Sequence, residues 1–189
     1  LFSCSTQANW SVDALFGKST TKQSVNDISQ QLPDNAELLQ YDDSGKSWAL
    51  GLSYYFTPRL AVQAHYVDLG DASVSMRGET LTPVAFHQAV SDIGPMLAKG
   101  VRSGLSYHVW QHAGWSATVQ AGVFAWNSET HSTAGDNLIR YKTSDTDIYW
   151  ALGASYALDE HIALQAVFNR YHLEGNKADN IMLGVSYSF

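Results

Sequence analysis

From Trp48 to Phe56 the chain reads Trp-Ala-Leu-Gly-Leu-Ser-Tyr-Tyr-Phe, with large apolar residues at the even positions and Ala, Gly, Ser and Tyr at the odd ones. A period of two belongs to a β-strand, whose successive side chains face opposite sides, and not to a helix. Thr57-Pro58-Arg59 then reads as a tight turn, because proline presets φ and has no N–H to give to a ladder. The chain returns with Leu60, Val62, Ala64 and Tyr66 on one face against Ala61, Gln63 and His65 on the other, which predicts a hairpin.

The same alternation recurs along the sequence. Val101, Ser103, Leu105, Tyr107 and Val109 oppose Gly100, Arg102, Gly104, Ser106 and His108, and after Gln111-His112-Ala113-Gly114 the odd residues from Trp115 to Ala125 oppose the even ones from Ser116 to Trp126. Ile148, Trp150, Leu152, Ala154 and Tyr156 oppose Tyr149 to Ala157, and Asp159-Glu160-His161 turns the chain into Ile162, Leu164, Ala166 and Phe168. A segment from Trp10 to Gly17 precedes these strands and one from Ile181 to Phe189 follows, for a total of eight.

Eight antiparallel strands of roughly nine to eleven residues suit a small up-and-down transmembrane β-barrel with tilted strands. Connections near Pro58, Gly114 and Glu160 are short, whereas Lys18 to Gly45, Asp71 to Ala98, Asn127 to Thr146 and Glu174 to Asp179 read as longer polar loops. Short turns at one rim and long loops at the other match that architecture. The large-apolar face carries no charge until Arg170, at the end of its strand. A lipid-facing Arg or Lys at mid-membrane costs about 2 to 4 kcal/mol, so this distribution suits lipid contact. Trp48, Tyr54, Phe56, Trp115, Trp150 and Tyr156 share that face near strand ends, as an aromatic girdle at the membrane interfaces requires.

The opposite face is Gly, Ala, Ser and Thr with Gln63, Arg102, Gln120, Gln165 and Asn169, a polar lumen set. A soluble eight-stranded ligand barrel would place apolar residues inside and charges outside, which is the reverse. Charged residues make up 15% of the chain, well below the roughly 25% of an average soluble domain. The net charge of −7, with 11 scattered basic residues, excludes a nucleic-acid partner. Cys4 is the sole cysteine, so neither an intrachain disulfide nor a thiolate zinc cluster is available.

The segment Asp179-Asn180-Ile181-Met182-Leu183-Gly184-Val185-Ser186-Tyr187-Ser188-Phe189 resembles the final strand of OmpA-type outer-membrane barrels. So do Tyr66-Val67-Asp68-Leu69-Gly70 and the run from Leu105-Ser106-Tyr107 to Ala121-Gly122 and Trp126, and the resemblance extends over residues 9–189, loops excepted. It implies the outer membrane of a Gram-negative bacterium, turns facing the periplasm and loops outside. It also implies that Gly184, Tyr187 and Phe189 form a recognition signal for the outer-membrane assembly machinery, with outer-membrane lipid and lipopolysaccharide as surroundings. Where relatives hold a buried Glu, Lys and Arg cluster, the matching positions here are Gln63, Gly104 and Gln120, with Val167 at another acidic position. Arg102 and Asp13 remain as inward charges, which puts the family's ion-pair gate in doubt. Many relatives continue into a peptidoglycan-binding domain, and no such role carries over to this sequence.

Residues 1–8 read as the remnant of a secretory signal peptide, with cleavage after Ala8 favoured over lipidation at Cys4 because bulky Phe2 departs from a lipoprotein box.

The leading expectation for function is a monomeric structural barrel whose surface loops act as adhesin, receptor or antigen. A narrow small-solute pore and a lipid-modifying enzyme are the alternatives. The lumen of an eight-stranded barrel is barely wide enough for its own side chains, and inward Phe124, Trp126 and Tyr149 argue for a plug. None of the seven histidines lies in an HExxH motif, and there is no Gly-x-Ser-x-Gly elbow. His131-Ser132 is the nearest nucleophilic pair, but neighbours in a strand face opposite sides. No cofactor is called for, and Asp42-Asp43 reads as a solvated pair rather than a calcium site. Thr82 to Leu97 is apolar for a loop and predicts a short helix capping the mouth, or a patch that meets a partner.

Overall fold

The computed structural model describes residues 9–21, 36–42, 44–70, 73–78, 97–134, 137–173 and 176–189. The strands are β1 (Trp10–Thr21), β2 (Ala36–Asp42), β3 (Ser44–Tyr55), β4 (Leu60–Asp68), β5 (Ser73–Gly78), β6 (Lys99–His112), β7 (Trp115–Ala134), β8 (Asn137–Ala157), β9 (Ile162–Leu173) and β10 (Asn176–Ser188). Eight of them form a closed barrel in the order β1-β10-β9-β8-β7-β6-β4-β3, with every neighbouring pair antiparallel. Closure pairs every strand on both sides, which is what a sheet needs in a solvent that cannot hydrogen-bond its edges. Residues 1–8, and all of the expected capping segment from Thr82 to Leu97 except its last residue, lie outside the described residues.

The period of two sorts the side chains as the alternation predicts. Phe16, Ile148, Ile181 and Leu183 point outward and are 61 to 67% exposed, whereas Leu15, Ala49, Phe124 and Met182 are buried within the ring. Aromatic residues form two belts on the outer face. Toward the turn side, Trp10, Tyr54 and Phe56 follow one another at 4.9 and 5.1 Å, and Trp115 meets Tyr156 at 4.8 Å. Toward the loop side, Trp48 meets Tyr66 at 5.4 Å and Trp150 meets Phe168 at 5.6 Å.

The short turns use local hydrogen bonds. Thr57 Oγ1 accepts the N–H of Arg59 at 3.2 Å and of Leu60 at 3.0 Å. Asp159 Oδ1 accepts the N–H of His161 and of Ile162, both at 2.7 Å. Between β6 and β7, Ala113 and Gly114 have φ of 49° and 84°, the left-handed pair of a two-residue hairpin turn.

Several loop boundaries differ from expectation. Asn127 to Thr146 is not a long loop: β7 and β8 continue as a hairpin in unbroken register from Asn127↔Ser144 to Ala134↔Asn137. Thr, Ser, Tyr and Ile recur along it, and alternation of β-formers with polar residues sustains a strand as readily in water as in lipid. The stretch after Glu174 is also short, because β10 begins at Asn176. Within the two long connections, β2 and β5 pair with each other as a separate two-stranded sheet, with a bulge between Leu38 and Gln40. A register shift between His108 and Trp110 places both Val109 and Trp110 on the outer surface, where strict alternation would expose only one.

Candidate functional site

The lumen divides into two storeys. On the turn side lies a cavity of about 170 Å³, lined among others by Asp13, Gln63, His65, Gln120, Gln165 and Ser155. Asp13, on β1, is its organising group. Its carboxylate accepts Ser53 Oγ at 3.1 Å and Gln165 Nε2 at 3.0 Å, and His65 Nε2 lies 3.1 Å from Oδ2. A carboxylate partner places the ring proton on Nε2, leaving Nδ1 buried without a partner. The ring of His65 lies over Gly51, its register partner on β3, where a Cβ would come within 2.3 Å of it. Gln63 Nε2 donates to Gln120 Oε1 at 2.7 Å, bridging β4 and β7 over the intervening β6.

The loop-side storey is filled. Arg102, 1% exposed, donates from Nη1 to Asn169 Oδ1 and to the Tyr171 hydroxyl at 3.2 Å. Its guanidinium stands 5.5 Å from the centre of the Tyr149 ring. Asn169 passes the network to Asn180 at 3.0 Å, and Asn180 donates to Ser19 at 2.9 Å and Ser47 at 2.7 Å. Phe124 and Tyr149 flank Tyr171 at 4.8 and 5.8 Å. Amides, hydroxyls and one guanidinium therefore span the barrel from β3 to β6, and aromatic rings fill the space between them.

All five lumen residues singled out from the sequence point inward: Gln63, Arg102 and Asn169 are buried, and Gln120 and Gln165 are half-buried against the cavity. They do not form one cluster. Gln63 and Gln120 bond to each other, Gln165 joins Asp13, and Arg102 joins Asn169. Arg102 thus has an amide and a phenol where the resemblance implies a carboxylate partner. The expectation that only Arg102 and Asp13 carry inward charge needs correction: Asp147 also turns inward near the loop rim and accepts Trp126 Nε1 at 3.0 Å. In the sequence it falls between the expected loop, which ends at Thr146, and the expected strand, which starts at Ile148. His65 and Tyr171 were not singled out from the sequence. Parity alone would have placed them inside.

The aromatic set divides between the belts, with Trp48 and Trp150 toward the loops and Tyr54, Phe56, Trp115 and Tyr156 toward the turns. Gly184 packs beside Leu15, where a Cβ would meet the Ala14 carbonyl, and Tyr187 and Phe189 are exposed with their rings 6.0 Å apart. At the loop-side rim Arg170 holds Asp179 through two hydrogen bonds of 2.6 and 2.7 Å, with Trp150 and Phe168 beside its guanidinium. His131 and Ser132 fall in β7, paired with Arg140 and Ile139 on the adjacent strand. The described residues contain no group of three or more His, Cys, Asp or Glu positioned for a metal ion.

A closed antiparallel cylinder with an apolar, aromatic-belted exterior and a polar, blocked interior defines a membrane β-barrel. The chain belongs to the outer membrane protein β-barrel domain family, whose profile matches residues 5–189. Among solved structures it is similar to the N-terminal β-barrel domain of Pseudomonas aeruginosa OprF, at 15% identity and a TM-score of 0.57, over 97% of this chain and 99% of that one. Neisserial surface protein A matches at 11% identity and a TM-score of 0.60, over 96% and 97%. The Ail protein of Yersinia pestis, in complex with the heparin analogue sucrose octasulfate, matches at 14% identity and a TM-score of 0.50, over 96% and 99%. A comparison with curated proteins gave no match.

Proposed function

We propose that this protein is a monomeric barrel of the Gram-negative outer membrane that presents β-structure at the cell surface for recognition, as an adhesin, receptor or antigen, and does not act as a general channel. The observation that carries this reading is the contrast between the two ends of the barrel. The lumen is closed at the level of Arg102, Phe124, Tyr149 and Tyr171. β7 and β8, 20 and 21 residues long in all, are about twice what a membrane-crossing strand needs and so extend past it on the loop side. Gly184, Tyr187 and Phe189 serve in this reading as the signal to the assembly machinery.

The turn-side cavity favours a second reading, slow passage of small polar solutes when the loop-side storey rearranges. We read the chain as non-catalytic, since its sequence holds neither an HExxH motif nor a Gly-x-Ser-x-Gly elbow. The deciding experiment combines planar-bilayer conductance of the refolded chain with binding of cells displaying it to immobilised sulfated polysaccharide and to host-cell surfaces. Absence of current with binding that is lost on removing residues 128–143 supports recognition. Steady current without binding supports the pore. Lipid hydrolysis abolished by His131→Ala would restore the enzyme.

A further inference from the structure

Arg102 is buried, and among the described residues no carboxylate stands within ion-pair reach of its guanidinium. Its two hydrogen bonds, to Asn169 and to the Tyr171 hydroxyl, both leave from Nη1. The Nε–H is buried without an acceptor, and Nη2 donates to no group of the protein. Nε and Nη2 share one edge of the planar guanidinium, and such an edge holds a carboxylate through two parallel N–H···O bonds. In Arg102 that edge is empty. The inward carboxylates elsewhere in the lumen are engaged with other groups. Asp13 holds Ser53, His65 and Gln165. Asp147 accepts Trp126 Nε1, and along the register row Phe124 of β7 stands between it and Arg102.

A buried ion has lost its hydration, and only an opposite charge in good hydrogen-bond geometry offsets that loss. Arg102 also borders the turn-side cavity of about 170 Å³, which reaches the turn-side rim at His108, Ser116 and Ser188. Further donors line the same space. Gln120 has its Oε1 taken by Gln63 and keeps its Nε2, and the hydroxyls of Ser106 and Thr118 face the cavity with it. From this arrangement we infer that the cavity is a binding pocket for a small carboxylate, no larger than acetate or glycolate, which enters from the turn side and sets its two oxygens on Nε and Nη2 of Arg102. A planar pair of oxygens satisfies both donors of the edge at once, whereas a spherical halide has no such match. The pocket is blind, because Phe124, Tyr149 and Tyr171 close the lumen on the loop side, so it retains a ligand rather than passing it on. The inference goes beyond recognition at the loop side and needs nothing from it.

The full chain is refolded into phosphatidylcholine nanodiscs and titrated with isotope-labelled acetate, and separately with chloride at equal ionic strength. Two NMR signals are followed: the Nε–H resonance of Arg102, and the exchange broadening of the acetate carboxyl line. The expected result is a saturable shift of the Arg102 resonance with a Kd of about 1 mM for acetate, about tenfold or more tighter than for chloride. Arg102→Gln loses the acetate broadening. Asn169→Asp, which gives the same guanidinium a carboxylate from the protein itself, also loses it in a barrel that heat-dependent gel migration shows to be folded. Arg59→Gln, in the exposed turn after β3, binds acetate as the wild type does. Equal broadening by Arg102→Gln overturns the pocket, and so does an equal response to chloride. An unmoved Arg102 resonance in the folded wild-type barrel overturns it as well, and leaves water as the partner of the empty edge. Should either variant fail to fold, the wild-type resonance and the comparison with chloride decide alone.

Discussion

His65 Nε2 and Asp13 Oδ2 meet at 3.1 Å inside the barrel, from positions 52 residues apart in the chain. Ser53 and Gln165 complete the shell around the carboxylate. Removing one member of a buried, hydrogen-bonded pair strands the others, at a cost of about 3 kcal/mol. Asp13→Ala is therefore expected to lower the stability of the refolded barrel by about 3 kcal/mol in urea titrations from lipid vesicles, with Asp13→Asn losing less. A midpoint unchanged by Asp13→Ala would show that water replaces the carboxylate without loss.

Gly51 tests the same pair from the other side. A Cβ there would lie 2.3 Å from the His65 ring, so the ring must leave its place beside Asp13. Gly51→Ala should destabilise by about 1 to 3 kcal/mol, and His65→Ala in that background should restore part of the loss. Additive effects of the two substitutions would mean that the ring does not press on this position.

Tyr149 and Tyr171, stacked at 5.8 Å, close the lumen beside Arg102, and no sustained current is expected from the wild-type chain in a planar bilayer. Tyr149→Ala/Tyr171→Ala removes the two rings nearest the guanidinium. It should give measurable conductance, together with a stability loss of several kcal/mol at about 3 to 5 per large aromatic residue. A silent, folded double variant would place the block elsewhere.

Ala113 has a φ of 49° in the two-residue turn between β6 and β7. A left-handed conformation costs a non-glycine L-residue about 1 to 2 kcal/mol, and asparagine least among them. Ala113→Asn is expected to raise stability by about 0.5 kcal/mol in urea and to speed pairing of β6 with β7. A lower midpoint would contradict it.

Asp159 gives a pH dependence whose sign follows from its bonds. Accepting the backbone N–H groups of His161 and Ile162 holds its carboxyl below the usual carboxylate range. A depressed value contributes stability that is present above the unfolded value, 3.8, and is lost as pH falls through the lower folded value. The stability difference between wild type and Asp159→Asn should therefore be constant from pH 7 to about 5 and shrink below about 4. Unfolding midpoints at pH 7, 5 and 3 check it, and a gap that widens in acid refutes it.

What alternation could reveal was the face of each residue. Leu50 and Ile148 outside, and Gln63 and Phe124 inside, follow from parity alone, because a closed sheet has two surfaces and the chain visits them in turn. Who meets whom inside was not legible. Arg102 finds Asn169 at a separation of 67 residues, set by register and strand tilt, neither of which has a local signature. Parity also fails at Trp110, where one extra residue resets the count. The extension of β7 and β8 was missed for a different reason: strands in water alternate less strictly, since both faces are wet and only backbone pairing holds them.

The ring is completed where β1 meets β10, two strands with nearly the whole barrel sequence between them. Until that seam closes, the growing sheet has two ragged borders of unpaired amides, each costing several kcal/mol in hydrocarbon. Half a cylinder therefore has no comfortable home in the bilayer. Insertion must wait for the whole strand set, or be chaperoned by something that lends the open border a temporary neighbour.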